Sequence, residues 1–372
     1  MVRTALLRLA CAAVGVLLTA GSGLSGDARG SLDQGGSDPF EFFAPWVVVS
    51  TADKRHLDSD ETIVRMLPGD DGRMAVFVAT RLNAQPDALV VWTRAIAELK
   101  RSKFVLAVRA FSDPPALSDL ADLVLDERDL DAIRRCLPGD CGLKLSAPEI
   151  ESLRRAIAGA GADWREAVQV EFRRVLLARV EMYRAGGLAA LPPSADRETS
   201  AGLAENFAAI LAQSPYLGRL PAVAAWLHAY PNADEPNVES FFYWSKEYYG
   251  GGKPVISVTH VGIVRPAPDR HLPAVLVTGK QIFATHYVEG ALGLTMVLHD
   301  AAGGDPYLVY LNRSQVDLLK GFLGGLVRGV LEGRLMRHAP QIVRGLRARL
   351  ESGNPPDETA PDPFPPVLNE AP

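Results

Sequence analysis

Two histidines and a lysine stand where strand patterns run, His260 within residues 255–264 and Lys280 and His286 within 274–288. A hairpin whose tip lies near Pro268 and Asp269 puts the even-numbered residues of both runs on one face. His260, Lys280 and His286 would then share it with Ile256, Val258 and Ile282. Such a set could orient a ligand or work as an acid/base pair, and the plainer reading is satisfied structural histidines. A slip of one residue would part His260 from the others. Asn312 and Arg313 follow at the end of the last strand pattern. There Asn312 or Ser314 would cap the next helix, and Arg313 would either reach a ligand anion or stay exposed. His260, Lys280, His286, Asn312 and Arg313 are the candidate ligand-binding residues, and no residue is assigned a catalytic role.

Cys136 and Cys141 flank the turn signal Pro138-Gly139, which can fold the hexapeptide back until the sulfurs meet. A local disulfide is expected, contributing about 2 kcal/mol through loop entropy; two free thiols are the alternative. No second Cys or His pair stands at zinc-ligand spacing. The chain also has no nucleophile elbow, metalloprotease helix, phosphate loop or dinucleotide fingerprint. No metal or cofactor is therefore expected, and an enzyme is the less favoured reading.

The elements that must position these residues begin with an export pattern. Arg3 and Arg8 precede an apolar run at 9–20 and then small residues, so 1–28 reads as a signal peptide. Residues 29–45 read as a flexible leader and 352–372, rich in proline, as a disordered tail. Between them the 48% hydrophobic content is that of a chain with a real core, and the net charge of −5 argues against a nucleic-acid surface. Strand patterns at 46–50 and 74–81, a helix at 87–100 and a strand at 103–111 come first. Helical signals fill 113–236, including the capping box opened by Ser146 and Glu149. Five strand patterns follow: 238–249, 255–264, 274–288, 291–299 and 307–312, with a turn expected at Glu289-Gly290. A long helix at 314–350 closes the fold.

The fold class read from this order is α+β, an antiparallel sheet packed on a long C-terminal helix with a large all-helical insertion. The stretch from Met74 to Arg81, followed by Gln85-Pro86-Asp87 and a helix bearing Trp92, resembles the opening of the START-related helix-grip superfamily. The end, from Gly321 through Arg347, resembles its closing helix. The resemblance covers 61–112 and 238–351 and leaves 113–236 as an insertion; the first part of the domain would begin at 46. It implies a non-catalytic protein binding an apolar or lipid-like ligand in a cavity between sheet and helix. The alternatives are an envelope interaction module using the insertion, an enzyme with a His260/His286 site, and a division into two domains near 231–236.

Gly321, Gly325, Gly329 and Gly333 recur every fourth residue in the terminal helix, at a propensity cost that suggests close packing against the sheet. The same helix is rich in arginine, which would also suit peripheral contact with an anionic membrane. The expected partners are a hydrophobic small molecule or lipid and that membrane surface, not nucleic acid. The expected location is periplasmic or secreted.

Overall fold

The structure is a computed structural model, and it describes residues 38–69, 72–198, 202–233, 237–248, 252–300, 303–320 and 324–356. The signal peptide (1–28) and the tail beyond 356 lie outside the described residues, as does Gly321.

Eight strands form one antiparallel sheet: β1 (Ile63–Leu67), β2 (Arg73–Arg81), β3 (Val105–Ala110), β4 (Val238–Glu247), β5 (Val255–Val264), β6 (Val275–Ala284), β7 (Val288–Leu298) and β8 (Tyr307–Val316). Their order across the sheet is β1-β2-β8-β7-β6-β5-β4-β3, so the first three strands enclose the five that follow. Strands on either side of the helical segment thus meet in one sheet. The central strands have apolar residues at both parities and must be covered on both faces.

One face carries Val76 and Val78 of β2, Val261 and Ile263 of β5, Val275, Val297 and Leu308. It packs on α2 (Asp87–Arg94) through Leu89, Val90 and Trp92, and on the C-terminal half of α9 (Gly324–Glu351) through Ala339, Val343 and Leu350. Ala95 breaks the helix expected at 87–100, and a short α3 (Ile96–Lys100) follows it.

The opposite face is covered by the inserted helices α4 (Glu127–Arg135), α5 (Ala147–Ala160), α6 (Trp164–Gly186), α7 (Leu203–Ala212) and α8 (Pro221–Ala229). At the start of α5 the Ser146 backbone N–H donates to Glu149 Oε2 at 2.7 Å, which is one half of the expected capping box, while the Ser146 hydroxyl makes no cap hydrogen bond. Phe172, Leu176 and Val180 of α6 meet Ile256, Val258, Ile282 and Trp244 on the sheet. Phe207 and Trp226, from α7 and α8, join Leu292, Leu294 and Leu311 in the neighbouring cluster.

Several expectations need correction. No strand forms at 46–50; Ser50 instead caps α1 (Thr51–Asp58), and β1 was not foreseen. The leader assigned to 29–45 ends in a 3₁₀ turn, Pro39–Phe43, whose Phe40, Phe42 and Phe43 are buried in the sheet's core cluster. Burial of three phenylalanines, at about 2 kcal/mol each, holds that turn in place. β8 continues through Val316, so the helix does not begin at 314. The glycine stripe is also reversed. In the N-terminal half of α9, Val327, Leu331 and Leu335 pack, whereas Gly325, Gly329 and Gly333 are exposed and have nothing within 4 Å of where a Cβ would stand.

Because these glycines face outward, they lower helix stability without easing a contact. Alanine at Gly325, Gly329 or Gly333 should raise stability by up to about 1 kcal/mol each, read as a higher denaturant midpoint. A lower midpoint would mean that the stripe packs against something after all.

Candidate functional site

The β5–β6 register pairs His260 directly with Lys280, which puts the two on one face as the parity of the runs predicts. Both side chains point at the inserted helices and both are 1% exposed. Lys280 Nζ donates to the Leu227 carbonyl at 2.7 Å and lies 4.3 Å from the Phe207 ring centre and 5.3 Å from that of Tyr183. Burial pulls its pKa down to about 7. His260 Nδ1 lies 3.1 Å from the Tyr183 hydroxyl, and its Nε2 is buried without a partner among the described residues. Burial, and then the Lys280 charge, push the imidazole down to about 3. Tyr183, Trp226, Tyr230 and Phe242 surround the histidine ring. A small molecule would have to displace these aromatic rings to reach the pair.

His286 is not part of this pair. β6 ends at Ala284, with a register shift opposite Val258/Thr259, and His286 falls in the turn that follows. Its Nε2 lies 3.0 Å from Asp129 Oδ1, which also accepts from Lys253 Nζ at 2.9 Å. Asp129 is held below the ordinary carboxylate range: burial opposes this, and the hydrogen bonds and charges of His286 and Lys253 outweigh it. The two histidines therefore share no partner and do not form one acid/base pair. The Glu289-Gly290 turn is displaced to 285–287, where Tyr287 takes a left-handed conformation at φ 63°.

Asn312 and Arg313 occupy opposite faces of β8. Neither Asn312 nor Ser314 caps a helix, since both are strand residues paired with β2 and β7. Arg313 is buried, not exposed, on the face of the inserted helices, where its charge and a hydrogen bond partly offset the rise that burial imposes on Tyr216. Cys136 and Cys141 are joined, with sulfurs 2.05 Å apart.

Asn312 belongs to a group that sequence reasoning did not assemble. On the α9 side, the cross-strand row Val261–Gly279–Gly293–Asn312 runs beside the row Thr259–Gln281–Ala291–Ser314. Gly279, Gly293, Gln281, Ala291, Asn312, Ser314 and Tyr310 are all only half-buried, although they lie in the middle of the sheet. A Cβ on either glycine would meet only its floor neighbours, at 3.5 Å or more. Gln281 Oε1 is buried without a partner among the described residues, while Ser314 donates to Asn312 Oδ1 at 2.6 Å. Burial pushes the Tyr310 hydroxyl up to about 12, so it stays protonated as a donor. The N-terminal half of α9 packs with Met66, Met74, Val316 and Leu319 toward the β1–β2 edge, and none of these rows belongs to that cluster. The cue in the sequence was Gly279 and Gly293 on strands that are otherwise strongly apolar.

No family model, curated protein or solved structure matches this chain.

The buried Lys280 fixes a pH dependence. Below about 7 the amine is protonated in both folded and unfolded chains, and its burial cost is fully present. Between about 7 and the ordinary 10.5 only the unfolded chain binds the proton, so stability rises with pH. His260 adds a loss of stability as pH falls from 6.5 towards about 3. Denaturant titrations at stepped pH should show both slopes, and Lys280→Met should flatten the alkaline one. An unchanged alkaline slope in that variant would assign it to other groups.

Proposed function

We propose that this chain is an exported, non-catalytic protein that holds an apolar or lipid-like ligand between α9 and the sheet. The carrying observation is the half-exposed floor at Gly279 and Gly293, flanked by Gln281, Asn312 and Ser314, in the centre of an eight-stranded sheet. A floor of this composition suits the polar end of an amphiphile. The apolar part would lie toward Val327, Leu331 and Leu335 of α9.

The connectivity supports a helix-grip reading. A leading strand (β2) is followed by two short helices and the far edge strand β3, then by a five-strand meander that returns to pair with β2, and then by a long terminal helix. The disulfide supports export, since such bonds persist in oxidising compartments. No helix among the described residues is long and apolar enough to cross a membrane. We assign peripheral contact with an anionic bilayer to the outward side of α9, where Leu326 is 71% exposed and Val330, Met336 and Arg337 are also exposed.

Gly293→Val should preserve the fold, since a Cβ there meets Asn312 Nδ2 at 3.6 Å and nothing closer. It should lower both the small molecules co-extracted with the protein, read by native mass spectrometry, and the saturable uptake of a fluorescent fatty-acid probe. Wild-type protein with neither a co-extracted molecule nor probe uptake would refute the ligand reading. The bilayer contact has its own test in vesicle flotation: Leu326→Ser with Arg337→Gln should release the protein from phosphatidylglycerol vesicles. Undiminished flotation would remove α9 from that role.

A further inference from the structure

The four central strands, β5 to β8, keep their ionisable side chains off the side that faces α9. His260, Lys280 and Arg313 lie under the inserted helices, and Glu289 of β7 is held by Lys320 at 2.6 Å. On the α9 side three successive cross-strand rows carry no charged residue: Ile263–Val277–Thr295–Tyr310, Val261–Gly279–Gly293–Asn312 and Thr259–Gln281–Ala291–Ser314. In each row the members from β6, β7 and β8 are half-buried, so the uncharged surface is continuous.

The ionised groups around this surface are already matched. Lys100, at the end of α3, lies 2.6 Å from Glu247 at the end of β4, and its Nζ also donates to the Tyr243 hydroxyl at 3.3 Å. Ser245 donates to the same carboxylate at 2.7 Å. On α9, Arg328 is turned to the Arg73 carbonyl and Glu332, Arg347 to Asp60 and Glu351, and His338 packs edge-on against Phe104. Tyr310 shows how the surface treats charge. Burial pushes its hydroxyl up to about 12, and the opposing pull of Lys100 does not cancel that rise. An anion brought there by a ligand would meet the same penalty.

We propose, on the premise that this floor holds a ligand, that the molecule is an amphiphile with an uncharged polar end, a hydroxyl or an amide, and that carboxylate, phosphate and ammonium heads are selected against. A charged head on these rows would leave water without meeting an opposite charge, because Lys100 and Glu247 are closed on each other. A hydroxyl or amide loses far less, and it can exchange hydrogen bonds with the half-buried side chains of Asn312 and Ser314. A fatty acid enters such a site as its neutral acid, at the cost of taking up a proton.

Four amphiphiles with one common chain test this selectivity: decanol, decanamide, decanoate and decylammonium. Each is titrated, below its micelle concentration, into isotopically labelled protein at about pH 8, where the last two are ionised. The amide resonances of Gly279 and Gly293 report on the floor. Decanol and decanamide should shift them saturably, and decanoate and decylammonium should bind about tenfold more weakly or worse. Asn312→Lys, which places a cation on the floor, should tighten decanoate by about tenfold. Decanoate or decylammonium binding wild type as tightly as decanol would overturn the head-group assignment and leave the ligand reading standing. Failure of all four to shift either glycine would overturn both. A folded Asn312→Lys protein that holds decanoate no better than wild type would also overturn the assignment, and the wild-type series decides it alone if that variant does not fold.

Discussion

The central strands of this sheet are apolar at both parities, and that constraint organises nearly everything else in the molecule. Val261, Ile263, Val275 and Val297 require cover on one side, while Ile256, Val258, Leu276 and Leu294 require it on the other. A long terminal helix with two short helices cannot cover both. The inserted helices and the buried Phe40–Phe43 turn supply the second layer. The insertion therefore acts as half of the core, and removing it would expose large apolar surfaces of β5, β6 and β7.

Among the polar groups buried in that second layer, one pair lies on the sheet itself beneath aromatic rings. Lys280 and His260 face each other across β5 and β6 beneath aromatic side chains, with one backbone carbonyl and one tyrosine hydroxyl to satisfy them. A lysine with a single acceptor and two ring faces has little to stabilise its charge, which is why burial moves it so far. Replacement of such a pair by apolar residues is often neutral or favourable in proteins. Its presence makes packing of the insertion on the sheet sensitive to pH, whatever else it does.

Much of this was legible from residue patterns. The parity of 255–264 and 274–288 placed His260 and Lys280 on one face, though it put His286 there as well, and Pro138-Gly139 placed the two cysteines within bonding distance. What failed did so for tertiary reasons. Asn312, Arg313, Ser314 and Gln315 look like a strand end, but β2 and β7 pair with them on both sides and carry the strand on to Val316. Glu289-Gly290 is the better local turn signal, yet the chain turns at Tyr287, in a backbone state that tyrosine rarely adopts, and the backbone hydrogen bond to Asp317 holds it there. Phe40, Phe42 and Phe43 sit among leader-like residues, and their depth depends on Phe77, Tyr216 and Tyr307, far away in the chain. The outward direction of the α9 glycines follows from which face Val327, Leu331 and Leu335 present, a choice the four-residue spacing alone does not make.

The glycines of the floor invert that lesson. Gly279 and Gly293 are cross-strand neighbours in the interior of the sheet, where glycine weakens a strand and contributes no side chain to a core. No tight turn or left-handed backbone occurs at either position, and a Cβ would fit at both without collision. Neither conformation nor crowding therefore requires glycine here. What two adjacent glycines do provide is depth, by lowering the floor by a side chain beside an amide oxygen with no partner at Gln281 and a pair of polar groups at Asn312 and Ser314. The space above the two glycines is thus bordered by polar groups, whereas a defect in an apolar layer would be lined by apolar ones, and the proposed ligand reading rests on that difference.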